Sequence, residues 1–359
     1  MSVQVSYGKQ FLFGLFLILI ILSIVEVTAR IFEYSYSFCN FIDSDSQNSL
    51  SRETLSQLCY DHSIIKWNET PYRHLISNQH TDFVNINSLG FRGSEIDLTH
   101  EQFLIFIVGG STVYGSGVGD DQTISYYLEE ILQSNNLNVQ VVNAGVPGIH
   151  SATEVVIIQD KIMNLNPDLV IIYDGYNDLV KPYEKFDELG ENDFTSKFIR
   201  LLAKNDYWRT GAAAVTVYFT LKNPENIETL SINVDHTNQK VLAWLEKINS
   251  SCENSKDKFQ TMFILQPFLG TGDKELTTSE HIIYENNNHN LLVSEYKKYG
   301  EHLSLMNKCS KVIDFSNVFS NSSESIYMDF VHLSSNGNKI IAKNISDHIL
   351  SSTINEINK

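Results

Sequence analysis

Five short apolar runs constrain this chain most: Phe103–Val108, Val139–Asn143, Leu169–Tyr173, Thr261–Gln266 and Val312–Phe315. Each is short, nearly continuous in apolar residues and bounded by turn formers, which reads as a strand buried on both faces. Helix-length segments separate or follow them, at about Thr123–Gln133, Ala152–Asn164, Asn238–Asn249, Asn290–Lys308 and Ser335–Leu350. Strands alternating with helices imply a parallel sheet between helical layers, joined by right-handed crossovers. Open sheets of this kind carry their chemistry in loops beyond the carboxyl ends of the strands. The loops after the first three runs are therefore expected side by side, and with them Ser111, Gly148 and Asn177.

The amino-terminal segment follows a different pattern. Phe11 to Val25 is apolar apart from Gly14 and Ser23, and Val27 to Ala29 extends the run past Glu26. Fifteen helical residues span only about 22 Å against a hydrocarbon core of about 30 Å, and taking in Tyr7 to Ala29 closes that gap. Lys9 lies before the run and favours a cytoplasmic amino terminus. The expectation is a cytoplasmic segment at 1–9, a single transmembrane signal-anchor at 10–29 and an extracytoplasmic remainder. A cleaved signal, leaving a secreted or periplasmic protein, is the rival, although Ser23-Ile-Val25 and Val27-Thr-Ala29 are poor cleavage sites. Residues 30–100 read as a polar stalk or cap, most ordered over Val84–Gly93. Residues 101–355 read as the main domain, with a lid-like insertion at 180–235 that includes the apolar stretch Gly211–Leu221.

Composition narrows the partners. The 359 residues carry a formal net charge of −17, with no basic cluster to grip phosphates, so nucleic-acid binding is disfavoured. Four cysteines, Cys39, Cys59, Cys252 and Cys309, permit disulfides in an exported chain. Cys252 and Cys309 each precede a predicted strand and can meet at one sheet edge; four free thiols are the alternative. No Cys-x-x-Cys or histidine pairing suggests a metal site, and no cofactor is expected.

Ser111 ends the first strand's turn in Gly109-Gly-Ser-Thr112. Judged locally it is a helix cap, since a serine after a strand often is. A phosphate loop is disfavoured, because neither a Gly-x-x-x-x-Gly-Lys nor a Gly-x-Gly-x-x-Gly pattern follows. Three other loops change that judgement. Asp329-Phe-Val-His332 lies after the fifth run, at a spacing that lets a carboxylate orient an imidazole toward a serine. Asn177 in Gly175-Tyr-Asn-Asp178 offers an amide, and Gly148 and Ser111 offer backbone N–H groups. Neutral donors that converge on one point can hold an oxyanion. Read separately, Asp329 is a helix cap, Asn177 an Asx turn and Gly148 a turn glycine.

Together, Gly109–Gly115, Asn143–Gly148, Gly175–Asp178 and Asp329–His332 resemble the four sequence blocks of the SGNH/GDSL hydrolase superfamily, in order, over about residues 103–350. The resemblance implies a three-layer α/β/α, flavodoxin-like fold with a five-stranded parallel sheet. It implies Ser111 as nucleophile, His332 and Asp329 as its triad partners, and Ser111, Gly148 and Asn177 as oxyanion donors. One departure is plain: where the family reads Gly-Asp-Ser-Leu, this chain has Gly110 before the serine and Thr112 after it. The expected activity is hydrolysis of an O-acyl ester, of a glycan or a lipid, by a membrane-anchored serine esterase. Acyl transfer to a cell-surface polysaccharide, and a non-catalytic glycan-binding or assembly role, are the alternatives.

Overall fold

A computed structural model describes residues 6–35, 50–99, 101–180, 234–285 and 289–357. They divide between two compact units, one holding the amino-terminal helix and the other drawn from Cys39–Tyr183 and Ser231–Lys359. In the first, α1 (Tyr7–Ser35) is a 29-residue helix. Its stretch Tyr7–Arg30 is long and apolar enough to cross a membrane, as an anchor or a signal sequence does. Phe11, Phe13, Phe16, Ile18 and Ile24 are all exposed along it.

The second unit is built on five parallel strands: β5 (Phe103–Gly109), β6 (Val139–Gly145), β7 (Leu169–Asp174), β8 (Gln260–Leu265) and β9 (Lys311–Asp314). Their spatial order is β6-β5-β7-β8-β9. Between them lie α3 (Ser111–Tyr114), α4 (Ile124–Ser134), α5 (Ser151–Asp160), α6 (Tyr176–Val180), α7 (Val234–Ser255), α8 (Thr278–Glu285) and α9 (His289–Glu301), with α10 (Ser335–Ile357) last. Alternate residues of β5 enter opposite cores. Ile105 and Ile107 pack with Leu128 and Leu132 of α4 and Ile341 and Ile345 of α10. Phe106 and Val108 pack with Ile157 of α5, Trp244 and Ile248 of α7 and Tyr296 of α9. Burial on both faces explains why the runs of β5, β7 and β8 are continuously apolar rather than alternating, whereas β9, at the sheet edge, is only partly buried. This is the three-layer α/β/α, flavodoxin-like sheet expected from the sequence. Because β6 and β7 lie on opposite sides of β5, the loops beyond β5 and β7 sit at the switch in strand order, where such folds bind ligands.

Residues 50–99 differ from the irregular stalk expected there. They form α2 (Arg52–Ile64) and two small antiparallel pairs, β1 (Trp67–Asn68) with β2 (His74–Leu75) and β3 (Gln79–His80) with β4 (Asn85–Ile86). Leu75, Val84, Ile86 and Phe91 belong to the same core as Phe106 and Val108. Arg92 then bridges to Asn143, closing the open edge of β6. The pattern was hidden because two-residue strands have no readable period.

Helix α8 was also not anticipated. The predicted helix 290–308 stops at Glu301, and a short 3-10 turn, Leu303–Leu305, completes it. Cys252 and Cys309 form a disulfide between the end of α7 and the approach to β9. Cys39 and the lid-like insertion, apart from its ends, lie outside the described residues.

Candidate active site

The nucleophile loop is set by three consecutive residues. A Cβ added to Gly109 would lie 2.5 Å from both the Tyr173 carbonyl oxygen and Val113 Cγ2, so only glycine lets β5 turn here. Gly110 takes the cap position of α3 and makes no side-chain cap bond, which puts Ser111 at the first helical position. The Ser111 side chain is thus not the helix cap that local sequence suggested. Its carbonyl accepts the N–H groups of Gly115 at 2.9 Å and Ser116 at 3.0 Å, fixing the turn beneath it.

From the far end of the sheet, the segment 326–333 brings an imidazole to the serine. Tyr327 and Leu333 bridge across a tight turn, and the Met328 N–H bonds the His332 carbonyl at 2.9 Å. Asp329 Oδ1 accepts the N–H groups of Val331 at 2.8 Å and His332 at 2.7 Å, while its Oδ2 meets His332 Nδ1 at 2.7 Å. His332 Nε2 lies 2.7 Å from Ser111 Oγ. Burial works to raise the Asp329 pKa, but the His332 partner and the two backbone donors outweigh it and hold the carboxyl below its usual range. An ionised Asp329 on Nδ1–H leaves Nε2 as the atom that can accept the serine proton. With 17 % and 19 % of their side chains exposed, His332 and Asp329 are sheltered yet reachable.

Two loops bring the proposed oxyanion donors near one another. Gly148 sits at a φ of +75°, a left-handed conformation that favours glycine. The Asn177 amide donates to the Ile149 carbonyl at 2.6 Å, tying the loop after β7 to the loop after β6. An amide nitrogen has two hydrogens, so one stays available. Asp178 reinforces the tie, accepting the Ser151 hydroxyl at 2.5 Å and its N–H at 2.9 Å. A Cβ at Gly110 would fall 2.4 Å from Asn177 Nδ2, which places that amide against the backbone one residue before the serine. Ser111 N–H, at the first turn of a helix, has no intrahelical acceptor.

Several supporting residues were not singled out from the sequence. Buried Asn143 donates to the carbonyls of Val113 at 2.8 Å and Tyr114 at 3.3 Å and accepts the Gly145 N–H at 3.0 Å. Buried Glu280 of α8 accepts Lys274 Nζ at 2.5 Å and the N–H groups of Ile326 and Tyr327 at 2.9 and 3.2 Å, steadying the segment that leads to Asp329. Arg92 and His62 approach the loop after α3 from the amino-terminal part of the unit. Their signal is a long-range one. Arg92 lies in the Val84–Gly93 segment that looks most ordered in the presumed stalk, and Asn143 begins the Asn143–Gly148 block, but the sequence reading gives neither a role. Among the described residues, no group of three acidic, histidine or cysteine side chains could hold a metal ion.

A hydrogen-bonded Ser–His–Asp run at the carboxyl edge of a parallel α/β sheet is the arrangement of a serine hydrolase. The chain belongs to the GDSL-like lipase/acylhydrolase family, a family of ester hydrolases whose profile matches residues 105–345. Similar solved structures include a G-D-S-L family lipolytic protein from Desulfitobacterium hafniense DCB-2, at 12% identity over 68% of this chain and 99% of that one, TM-score 0.40. A catalytic mutant of the acetylxylan esterase Axe2 from Geobacillus stearothermophilus is 14% identical over 67% of this chain and 90% of that one, TM-score 0.41. No curated protein matches the chain.

Proposed function

We propose that this acylhydrolase cleaves an O-acyl ester by nucleophilic catalysis at Ser111. The observation that carries the reading is the unbroken run Ser111 Oγ–His332 Nε2 and His332 Nδ1–Asp329 Oδ2, each link 2.7 Å. His332 Nε2 takes the hydroxyl proton as Ser111 Oγ attacks the ester carbonyl. The resulting oxyanion is held by the N–H groups of Ser111 and Gly148 and by the free hydrogen of the Asn177 amide. Collapse breaks the carbonyl–alkoxy bond, and the proton on His332 passes to the departing alcohol. A water molecule, deprotonated by the same imidazole, then attacks the acyl-serine and releases the acid and Ser111. Asp329 stays ionised throughout and stabilises the imidazolium.

The expected substrate is an acylated glycan or lipid outside the cytoplasm, with α1 as an uncleaved anchor. Lys9 ahead of the apolar run and the Cys252–Cys309 disulfide both favour that placement. The wild-type chain should turn over p-nitrophenyl acetate and be labelled by a fluorophosphonate, and Ser111→Ala should abolish both. Turnover by Ser111→Ala at the wild-type rate would sink the assignment. Acylated product in the presence of a glycan acceptor would redirect it to acyl transfer.

A further inference from the structure

The Arg92 side chain is 1 % exposed, and it spends nearly all its donors on the loop that follows the nucleophile. Nη1 bonds the carbonyls of Tyr114 at 2.7 Å and Gly115 at 2.8 Å, and Nη2 bonds that of Val118 at 2.7 Å. Nε bonds Asp120 Oδ1 at 2.7 Å, supplying the counter-charge. The guanidinium also lies 4.7 Å over the Tyr114 ring. Of five N–H donors, four are thereby committed. The backbone of Arg92 is fixed as well, its N–H bonding the Asn143 carbonyl at 3.1 Å.

Three of those acceptors belong to the segment that holds Ser111. Tyr114 is the last residue of α3, and Gly115, whose carbonyl Arg92 grips, donates its own N–H to the Ser111 carbonyl at 2.9 Å. A four-residue helix leaves its carboxyl-terminal carbonyls without partners inside the helix. Arg92 and Asn143 supply those partners, and His62 Nε2 adds a contact to the Val118 carbonyl at 3.0 Å. The loop itself is glycine-rich and takes positive φ at Gly115 and Gly117, and Arg92 adds three carbonyl contacts to the loop's own backbone hydrogen bonds.

We infer that Arg92 is a positioning residue for the nucleophile: its planar fork clamps the carbonyls of Tyr114, Gly115 and Val118 and so fixes Ser111 against His332. The inference rests on the reading of Ser111 as nucleophile. Lysine keeps the charge but cannot span three carbonyls from one planar group. Arg92 and Asp120 also line a cleft of about 520 Å³, from which a small cation can reach the place of the Arg92 side chain.

The test compares the wild type, Arg92→Lys and Arg92→Ala in the full chain. Rates with p-nitrophenyl acetate, the rate and end-point stoichiometry of fluorophosphonate labelling, and melting temperature are measured for each. A displacement of about 1 Å at a reacting group costs on the order of 10²-fold, so Arg92→Ala should lose about that much kcat with KM within a few-fold. Labelling should slow in parallel yet still reach full stoichiometry, and millimolar guanidinium should restore at least part of the lost kcat. Arg92→Lys should fall between, without guanidinium rescue, and serves alone if Arg92→Ala does not fold. Wild-type kcat in either variant overturns the inference. So does a loss that follows incomplete labelling, with the labelled fraction reacting at the normal rate, because that marks a purely structural role. A wild type that neither turns over ester nor labels would instead overturn the nucleophile reading.

Discussion

At the scale of single residues, position 110 carries this chain's departure from the family pattern, and the structure gives it a physical meaning. With no side chain there, the Asn177 amide rests against the Gly110 backbone, where a Cβ would stand 2.4 Å from its nitrogen. The Gly110 φ of −79° is not the left-handed value that singles out glycine, so the close approach of Asn177 is the contact to test. Gly110→Ala should therefore act through Asn177, pushing its amide off the Ile149 carbonyl and away from the oxyanion. Removing one such donor costs about 10²–10³ in kcat, and Gly110→Ala should approach the loss seen for Asn177→Ala. A double-mutant cycle on kcat checks it: the two losses should be far from additive, and an additive double variant would separate the two residues. Ser111, Gly148 and Asn177 were legible because each follows a strand whose burial shows in the sequence, and the Asp329–His332 pair because of its spacing and the family resemblance. Arg92 was not, because its acceptors are carbonyls, and a carbonyl's partner leaves no trace in residue identity.

At the scale of elements, the same contrast holds. Strands β5, β6 and β7 were readable to within two residues, since burial on both faces leaves mostly apolar side chains to choose from. Helix α8 was invisible, since what orders it is Glu280, buried against Lys274 and the backbone of Ile326 and Tyr327, which are distant in sequence. Helix α5 carries a second buried carboxyl with the opposite character. Glu154 is wholly buried, and neither of its oxygens has a hydrogen-bond partner among the described residues. Burial first, then the nearby Asp174 and Asp178, push its pKa well above the ordinary carboxyl value. Asp174 is likewise raised, by burial and by Asp178, although the Trp244 N–H bonds it at 3.0 Å. On the other side, Lys240 and Lys247 of α7 feel the charge of Asp178, and Lys240 Nζ bonds the Leu179 carbonyl at 3.1 Å. A carboxyl whose folded pKa is raised contributes stability that is complete below its unfolded pKa. That stability is lost as pH rises toward the folded value, at no more than about 1.4 kcal/mol per pH unit for one proton. Glutamine has no proton to lose. Glu154→Gln should thus melt near the wild type at pH 5 and progressively above it toward pH 9. Melting curves that stay parallel across that range would show that Glu154 ionises freely in the fold.

For the whole molecule, the question is which side of a membrane the hydrolase unit occupies, and two separate features bear on it. Helix α1, at 29 residues, is about 43 Å long, more than the roughly 30 Å of a hydrocarbon core, and its apolar side chains are exposed. In the other unit, Cys252 and Cys309 are joined across a sequence separation of 57. Closing a loop of that size restricts the unfolded chain by about 4 kcal/mol in the chain-entropy account, so the bond matters to the fold wherever it can form. It forms and persists in oxidising compartments and is rare in a reducing cytosol. An uncleaved anchor with Lys9 inside would deliver the unit to the oxidising side. In a bacterial host, the full-length chain should remain with membranes after alkaline extraction and be digested when protease is added to intact spheroplasts. Its cysteines at 252 and 309 should react with a bulky maleimide only after reduction and denaturation. A soluble product whose amino terminus begins beyond Ala29 would show that α1 is a cleaved signal instead. Protection from protease, with both thiols reactive before reduction, would place the unit in the cytoplasm and remove the argument for an extracytoplasmic ester. The Ser111 chemistry would survive that outcome, because the distances that define it do not depend on where the membrane lies.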